Sequence, residues 1–197
     1  MKRLLFVLAL GAAMLVAVPF ARATVIDLHA NLSGSNEVPV TGSLGTGFAS
    51  IKFDTVAQTL TLQITFSGLT GTTTASHIHC CLPSPSQPGV NVGVATTVPT
   101  FAGFPLGVHS GIYNAVLDLT LASSYNPAFV TSHGGTIASA EAALIAGLLN
   151  QETYLNIHTT TFPGGEIRGF VVPEPGSLAL LALGICAGFV SLRRRRA

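Results

Sequence analysis

The chain has 197 residues, with 21 glycines, 11 prolines, no tryptophan and only 9% charged residues. Of its nine Lys and Arg only Lys52 and Arg168 fall within residues 24–172, against seven carboxylates, so that stretch has a net charge of minus five. Without a basic patch to neutralise phosphates it is no partner for nucleic acid, and its length suits one domain that buries about two-thirds of its unfolded surface.

The chain opens with the basic Met1-Lys2-Arg3, an apolar stretch over residues 4–20 and the small-residue site Ala21-Arg22-Ala23. That order is a secretory signal peptide over residues 1–23, removed by signal peptidase. Strand signals follow. Residues 25–32 alternate as Val-Ile-Asp-Leu-His-Ala-Asn-Leu, residues 47–53 set Phe48, Ser50 and Lys52 against Ala49, Ile51 and Phe53, and residues 59–66 alternate Thr with Leu, Ile and Phe. Period-two alternation makes these half-buried strands separated by Gly, Ser and Asn turns. Further strands are expected over residues 76–80, 90–97, 111–119, 154–159 and 166–172, with an extended loop over 82–89, where Pro83, Pro85 and Pro88 prevent anything else. One helix is expected over residues 139–150, capped by Ser139, with Ala140, Ala143, Leu144, Ile145, Leu148 and Leu149 at helical spacing. Many short strands at roughly ten-residue spacing predict an all-β fold, an antiparallel Greek-key sandwich or barrel with one short helix.

Three motifs carry candidate chemistry. On a strand, His77 and His79 share one face with Ile78 on the other, and Asn156 and His158 share a face opposite Leu155 and Ile157. If those strands are neighbours, His77, His79 and His158 make a site for copper or zinc; the bland alternative is that the rings hydrogen-bond backbone and loop groups at a sheet edge. Second, Arg168 is expected to pair with a carboxylate, Glu37 or Glu166, pinning the last strand to the first loop. Third, the adjacent Cys80 and Cys81 in an oxidising compartment have three outcomes: a vicinal disulfide, a soft-metal site or a bridge to a second molecule. An oxidised pair without catalytic duty is the expectation. The third cysteine, Cys186, lies in the apolar run near the C-terminus.

That run covers residues 178–192, after Val172-Pro173-Glu174-Pro175 and before Arg193-Arg194-Arg195-Arg196. A short span flanked by four arginines orients with its C-terminus on the cytoplasmic side. Residues 172–197 resemble the PEP-CTERM sorting signal. The resemblance implies transient tethering in the inner membrane, cleavage near Pro173-Glu174-Pro175 by an exosortase-type membrane protease, and then release or display at the cell surface. It also implies a bacterium that makes exopolysaccharide, and hence an exopolysaccharide or surface glycan as partner.

Four further segments, Leu32-Ser33-Gly34-Ser35-Asn36-Glu37-Val38-Pro39, Phe66-Ser67-Gly68-Leu69-Thr70, Ser76-His77-Ile78-His79, and Tyr154-Leu155-Asn156-Ile157-His158-Thr159 leading to Pro163-Gly164-Gly165-Glu166-Ile167-Arg168-Gly169, resemble in order and spacing the CHRD domain, named from chordin. The resemblance covers about residues 26–171, in a domain expected over 24–171, and implies an immunoglobulin-like barrel with limited similarity to copper/zinc superoxide dismutases and no agreed activity. The chain departs from the pattern at Cys80-Cys81-Leu82-Pro83, where family members usually continue with Gly and small residues. No Ser-x-x-Lys, Gly-x-Ser-x-Gly or His-Glu-x-x-His motif occurs. The expected function is therefore a non-enzymatic exported surface or matrix domain. The alternative is a His-rich metal-binding or degenerate superoxide-dismutase-like redox protein, for which only His29, His109, His133 and Asp118 remain as additional ligands.

Overall fold

Alternating side chains build the first half of the molecule, in the computed structural model that describes residues 25–87, 89–174 and 176. Strands β1 (Val25–Ser33), β2 (Thr46–Asp54) and β3 (Thr59–Ser67) form an antiparallel meander with unbroken register from Val25↔Asp54 to Ser33↔Thr46 and from Thr46↔Ser67 to Asp54↔Thr59. Ile26, Leu28, Ala30 and Leu32 point inward from β1, Ala49, Ile51 and Phe53 from β2, and Leu60, Leu62, Ile64 and Phe66 from β3. Each large aliphatic removed from water in this way contributes about 1.5–3 kcal/mol, which fixes the register, because a slip of one residue would turn the whole set outward.

The second half comprises β4 (Thr73–Cys80), β5 (Gly111–Asp118), β6 (Thr153–Thr159), β7 (Ile167–Phe170) and the short β8 (Val172–Pro173). The sheet order is β4-β6-β7-β1-β2-β3-β5, with β8 beside β1 and every pair antiparallel. The chain leaves β3 for the opposite edge at β4, returns to place β5 against β3, and crosses again to insert β6 between β4 and β7. These crossings curl the eight strands into a half-barrel, the all-β antiparallel fold that the strand pattern predicts.

Three local expectations are corrected. Residues 90–97 form no strand: they make only the isolated bridges His79↔Val94 and Thr96↔Tyr125, because several of their carbonyls face side chains instead of a ladder. The crossover to β6 holds a short helix α1 (Pro127–Ser132), with Asn126 accepting from Ala128 N and Pro127 opening the first turn, before the expected helix α2 (Ile137–Leu149). The cap of α2 is Thr136 rather than Ser139; Ser139 is the reciprocating third residue of a capping box, its backbone N–H donating to Thr136 Oγ1 at 3.1 Å. Leu144 and Leu148 of α2 enter the core. Among the described residues no helix is long and apolar enough to cross a membrane. The signal peptide over 1–23, the apolar run over 178–192, Pro175 and Arg193, Arg194, Arg195 and Arg196 lie outside the described residues.

Candidate functional site

Strand β6 is buried on both faces apart from the half-buried His158, and the last five residues of β4 are buried as well, yet one face of the pair is polar. Ile78, Leu155 and Ile157 point into the apolar core. The register His79↔Tyr154, His77↔Asn156, Ala75↔His158 and Asn156↔Arg168 places His77, His79, Tyr154, Asn156, His158 and Arg168 together on the other face. Three loops, around Glu37, around residues 90–100 and around Pro163, close over it.

The three sequence-predicted histidines meet there. His77 Nδ1 lies 3.3 Å from His158 Nε2, and one ring nitrogen from each of His77, His79 and His158 falls within 4.8 Å of the others. The outer nitrogens are anchored on backbone carbonyls: His77 Nε2 on Pro99 O at 2.6 Å, His79 Nδ1 on Val92 O at 2.8 Å and His158 Nδ1 on Pro163 O at 2.8 Å. His79 also stacks on Tyr154, ring centroids 4.6 Å apart. Burial pushes the His79 imidazole down to about 4 against the opposing carbonyl bond, and pushes His77 and His158 down as well. Near neutrality all three rings are therefore uncharged, the form that binds metal. The remaining candidates stand apart: His29 Nδ1 contacts Glu174 at 2.7 Å, His109 bonds Leu69 O, His133 bonds Phe129 O, and Asp118 accepts from Thr120 in a turn.

Beside the histidines, Arg168 Nη2 lies 2.9 Å from Glu37 Oε2, both side chains only 1% exposed. Of the two carboxylates expected for Arg168, Glu37 is the partner. Arg168 also donates to Val90 O at 3.1 Å and to Asn91 Oδ1, and its guanidinium lies 3.9 Å over the Tyr154 ring. Burial pushes the Glu37 carboxyl up, and the Arg168 charge pulls against it. Glu166, the other expected carboxylate, is held by neutral donors instead: Ser43 Oγ and Thr70 N at 2.5 Å, Thr159 Oγ1 at 2.6 Å and Gly71 N at 3.1 Å. Burial works to raise its carboxyl, and these hydrogen bonds outweigh it, holding it below its ordinary value. Arg168 thus ties the sheet to the first loop, while Glu166 ties the turn before β7 to two other loops.

Cys80 and Cys81 are bonded to each other at the end of β4, their sulfurs lying against α2 at Gly147. The sulfurs are spent on one another, so the histidine cluster is an all-nitrogen set.

Sequence reasoning did not single out Tyr154 or Asn91. Tyr154 was within reach, since it precedes Asn156 and His158 at the same two-residue period. Asn91 and the carbonyls of Val90, Val92, Pro99 and Pro163 had no such signal, because backbone acceptors in irregular loops leave no mark on residue type.

A family model described as the CHRD domain matches residues 28–171, more than two-thirds of the 197-residue chain, and one described as the PEP-CTERM protein-sorting motif matches residues 171–196. No curated protein and no solved structure matches the chain. The segments that build the polar face, from Glu37 through His77-Ile78-His79 to Arg168, all fall inside the first match. The chain belongs to the CHRD domain family and ends in a PEP-CTERM sorting motif.

Proposed function

We propose that this exported protein, handled by an exosortase-type system, is a non-enzymatic CHRD domain displayed at the cell surface or in the extracellular matrix, where it meets exopolysaccharide or surface glycan. The observation that carries this reading is the abutment of the two matches: the sorting motif begins at residue 171, where the CHRD match ends, which makes the domain cargo of the sorting system. The interior charges support a structural role, since Arg168 is committed to Glu37, Val90 and Asn91 and Glu166 to four donors. In this reading the apolar run over 178–192 tethers the chain in the inner membrane, with Arg193 to Arg196 inside, until the protease cuts.

Mass spectrometry of the surface-labelled native protein, combined with cell fractionation, tests it. The expected mature form starts near Thr24 and ends before Leu178, and removal of residues 172–197 abolishes surface labelling. Recovery of surface-exposed protein that still carries Arg193 to Arg196 would overturn the sorting route.

A further inference from the structure

We infer that His77, His79 and His158 bind one copper or zinc ion, through His77 Nδ1, His79 Nε2 and His158 Nε2. A neutral imidazole has one N–H and one bare nitrogen, and a carbonyl oxygen only accepts. The nitrogen facing each carbonyl must therefore carry the proton: His77 Nε2 toward Pro99 O, His79 Nδ1 toward Val92 O and His158 Nδ1 toward Pro163 O. Of the bare nitrogens left over, His77 Nδ1 and His158 Nε2 lie 3.3 Å apart, and since one ring nitrogen from each of the three histidines falls within 4.8 Å of the others, we assign the bare Nε2 of His79 as the third donor.

This convergence is unfavourable without a cation. His77 Nδ1 and His158 Nε2, 3.3 Å apart, have no hydrogen to share when both are bare, so their lone pairs oppose each other. His79 Nε2 is buried and has no hydrogen-bond partner among the described residues. One added proton relieves one pair and leaves the third nitrogen unmet, whereas a metal ion accepts all three lone pairs at once. A carbonyl on the far nitrogen of each ring is also how protein metal sites fix the tautomer and orientation of their histidines.

Donor type selects the ion. Three neutral nitrogens suit zinc and copper, whereas magnesium and calcium require oxygen ligands. Metal–nitrogen bonds of about 2.0–2.1 Å in tetrahedral geometry put ligand atoms about 3.3 Å apart. The His77–His158 pair already has that separation, and the widest separation closes by roughly 1.5 Å on binding. The site is independent of the sorting route, so its failure leaves the export reading intact.

The test uses the full chain, recovered from an export-competent host, stripped with chelator and titrated separately with Zn(II), Cu(II), ascorbate-reduced Cu(I) and, as control, Mg(II). One equivalent of zinc or copper is expected and no magnesium, the tighter of the two assigning the ion. His158→Gln, the least buried of the three positions, is expected to weaken binding at least tenfold with an unchanged circular dichroism spectrum. ¹⁵N NMR of the wild type provides a second measurement that does not depend on the variant's folding. The metal-free protein is expected to carry its protons on His77 Nε2, His79 Nδ1 and His158 Nδ1, and metal is expected to shift the opposite nitrogen of each ring. Absence of binding, undiminished binding in a folded variant, shifts confined to other histidines, or binding that appears only after reduction of Cys80–Cys81 would each overturn the assignment.

Discussion

The guanidinium of Arg168 lies 3.9 Å over the ring of Tyr154, its neighbour on the adjacent strand. The same ring stacks on His79, and its hydroxyl reaches the backbone of Val92 at 3.2 Å, the residue whose carbonyl anchors His79. The buried ion pair and the histidine cluster are therefore one packed unit, with Tyr154 as the shared wall.

Removing Arg168 leaves Glu37 as an uncompensated charge in a dry environment. Arg168→Ala is expected to destabilise the domain by about 3–5 kcal/mol, well above the 1 kcal/mol or so of a surface pair. Arg168→Lys is expected to recover only part of this, because an ammonium can neither stack flat on Tyr154 nor serve Glu37, Val90 and Asn91 together. Urea unfolding measures both, and a loss under about 1 kcal/mol for the alanine variant would contradict the buried role.

Glu166→Gln keeps the shape of the side chain but turns an acceptor into a donor facing fixed N–H groups of Thr70 or Gly71, at an expected cost of about 2–4 kcal/mol. The carboxyl of Glu166 lies below its ordinary value of 4.5 in the folded state, so the unfolded chain binds the proton more readily. Its contribution is complete above pH 4.5 and is lost as pH falls through the lower folded value. Unfolding midpoints measured between pH 6 and pH 3 are expected to fall less steeply for the glutamine variant; parallel profiles would argue against this assignment.

Gly147→Ala weighs two opposed effects in α2. Helix propensity favours alanine by about 1 kcal/mol, whereas overpacking costs about 1–3 kcal/mol. A Cβ at Gly147 meets Cys80 Sγ at 2.5 Å and Cys81 Sγ at 3.1 Å, and those sulfurs are bonded to each other and cannot swing away separately. Net destabilisation is expected, read as a lower thermal midpoint, and a raised midpoint would refute it.

Tyr154 separates its own two contributions. Tyr154→Phe keeps the ring between Arg168 and His79 and loses only the hydroxyl bonds at Val92, for about 1 kcal/mol. Tyr154→Leu also loses the stacking and opens space, for about 2–4 kcal/mol. Equal losses in a chemical denaturation series would place the whole effect in the hydroxyl.

The strands that were easiest to read are those with one wet face. In β2, exposed Phe48 and Lys52 alternate with buried Ala49, Ile51 and Phe53, and the period shows directly. In β4 and β6 both faces are covered, and the polar residues of one face are buried too, so alternation survives only as a chemical contrast between His77, His79 and Ile78. The histidine set is legible from its two-residue spacing; the adjacency of β4 and β6, which lie over seventy residues apart, depends on a crossover that local pattern does not encode. Residues 90–97 have strand composition but direct Val90 O to Arg168 and Val92 O to His79. Arg168 had two candidate carboxylates because spacing alone places Glu166 nearer in sequence, and only the folded loops bring Glu37 closer.

Strand β8 runs beside the start of β1, with Val172 opposite His29, Pro173 opposite Leu28, and Glu174 N donating to Asp27 O at 2.8 Å. The last strand of the domain therefore closes at the same corner where the first one opens, so residues 25 and 174 lie at one pole of the half-barrel. Arg168 is in register with Ser33, eight residues up β1 from Val25, a rise of about 27 Å. Both ends of the domain thus share one pole, and Arg168 with the polar face it belongs to is set well along the strands from it.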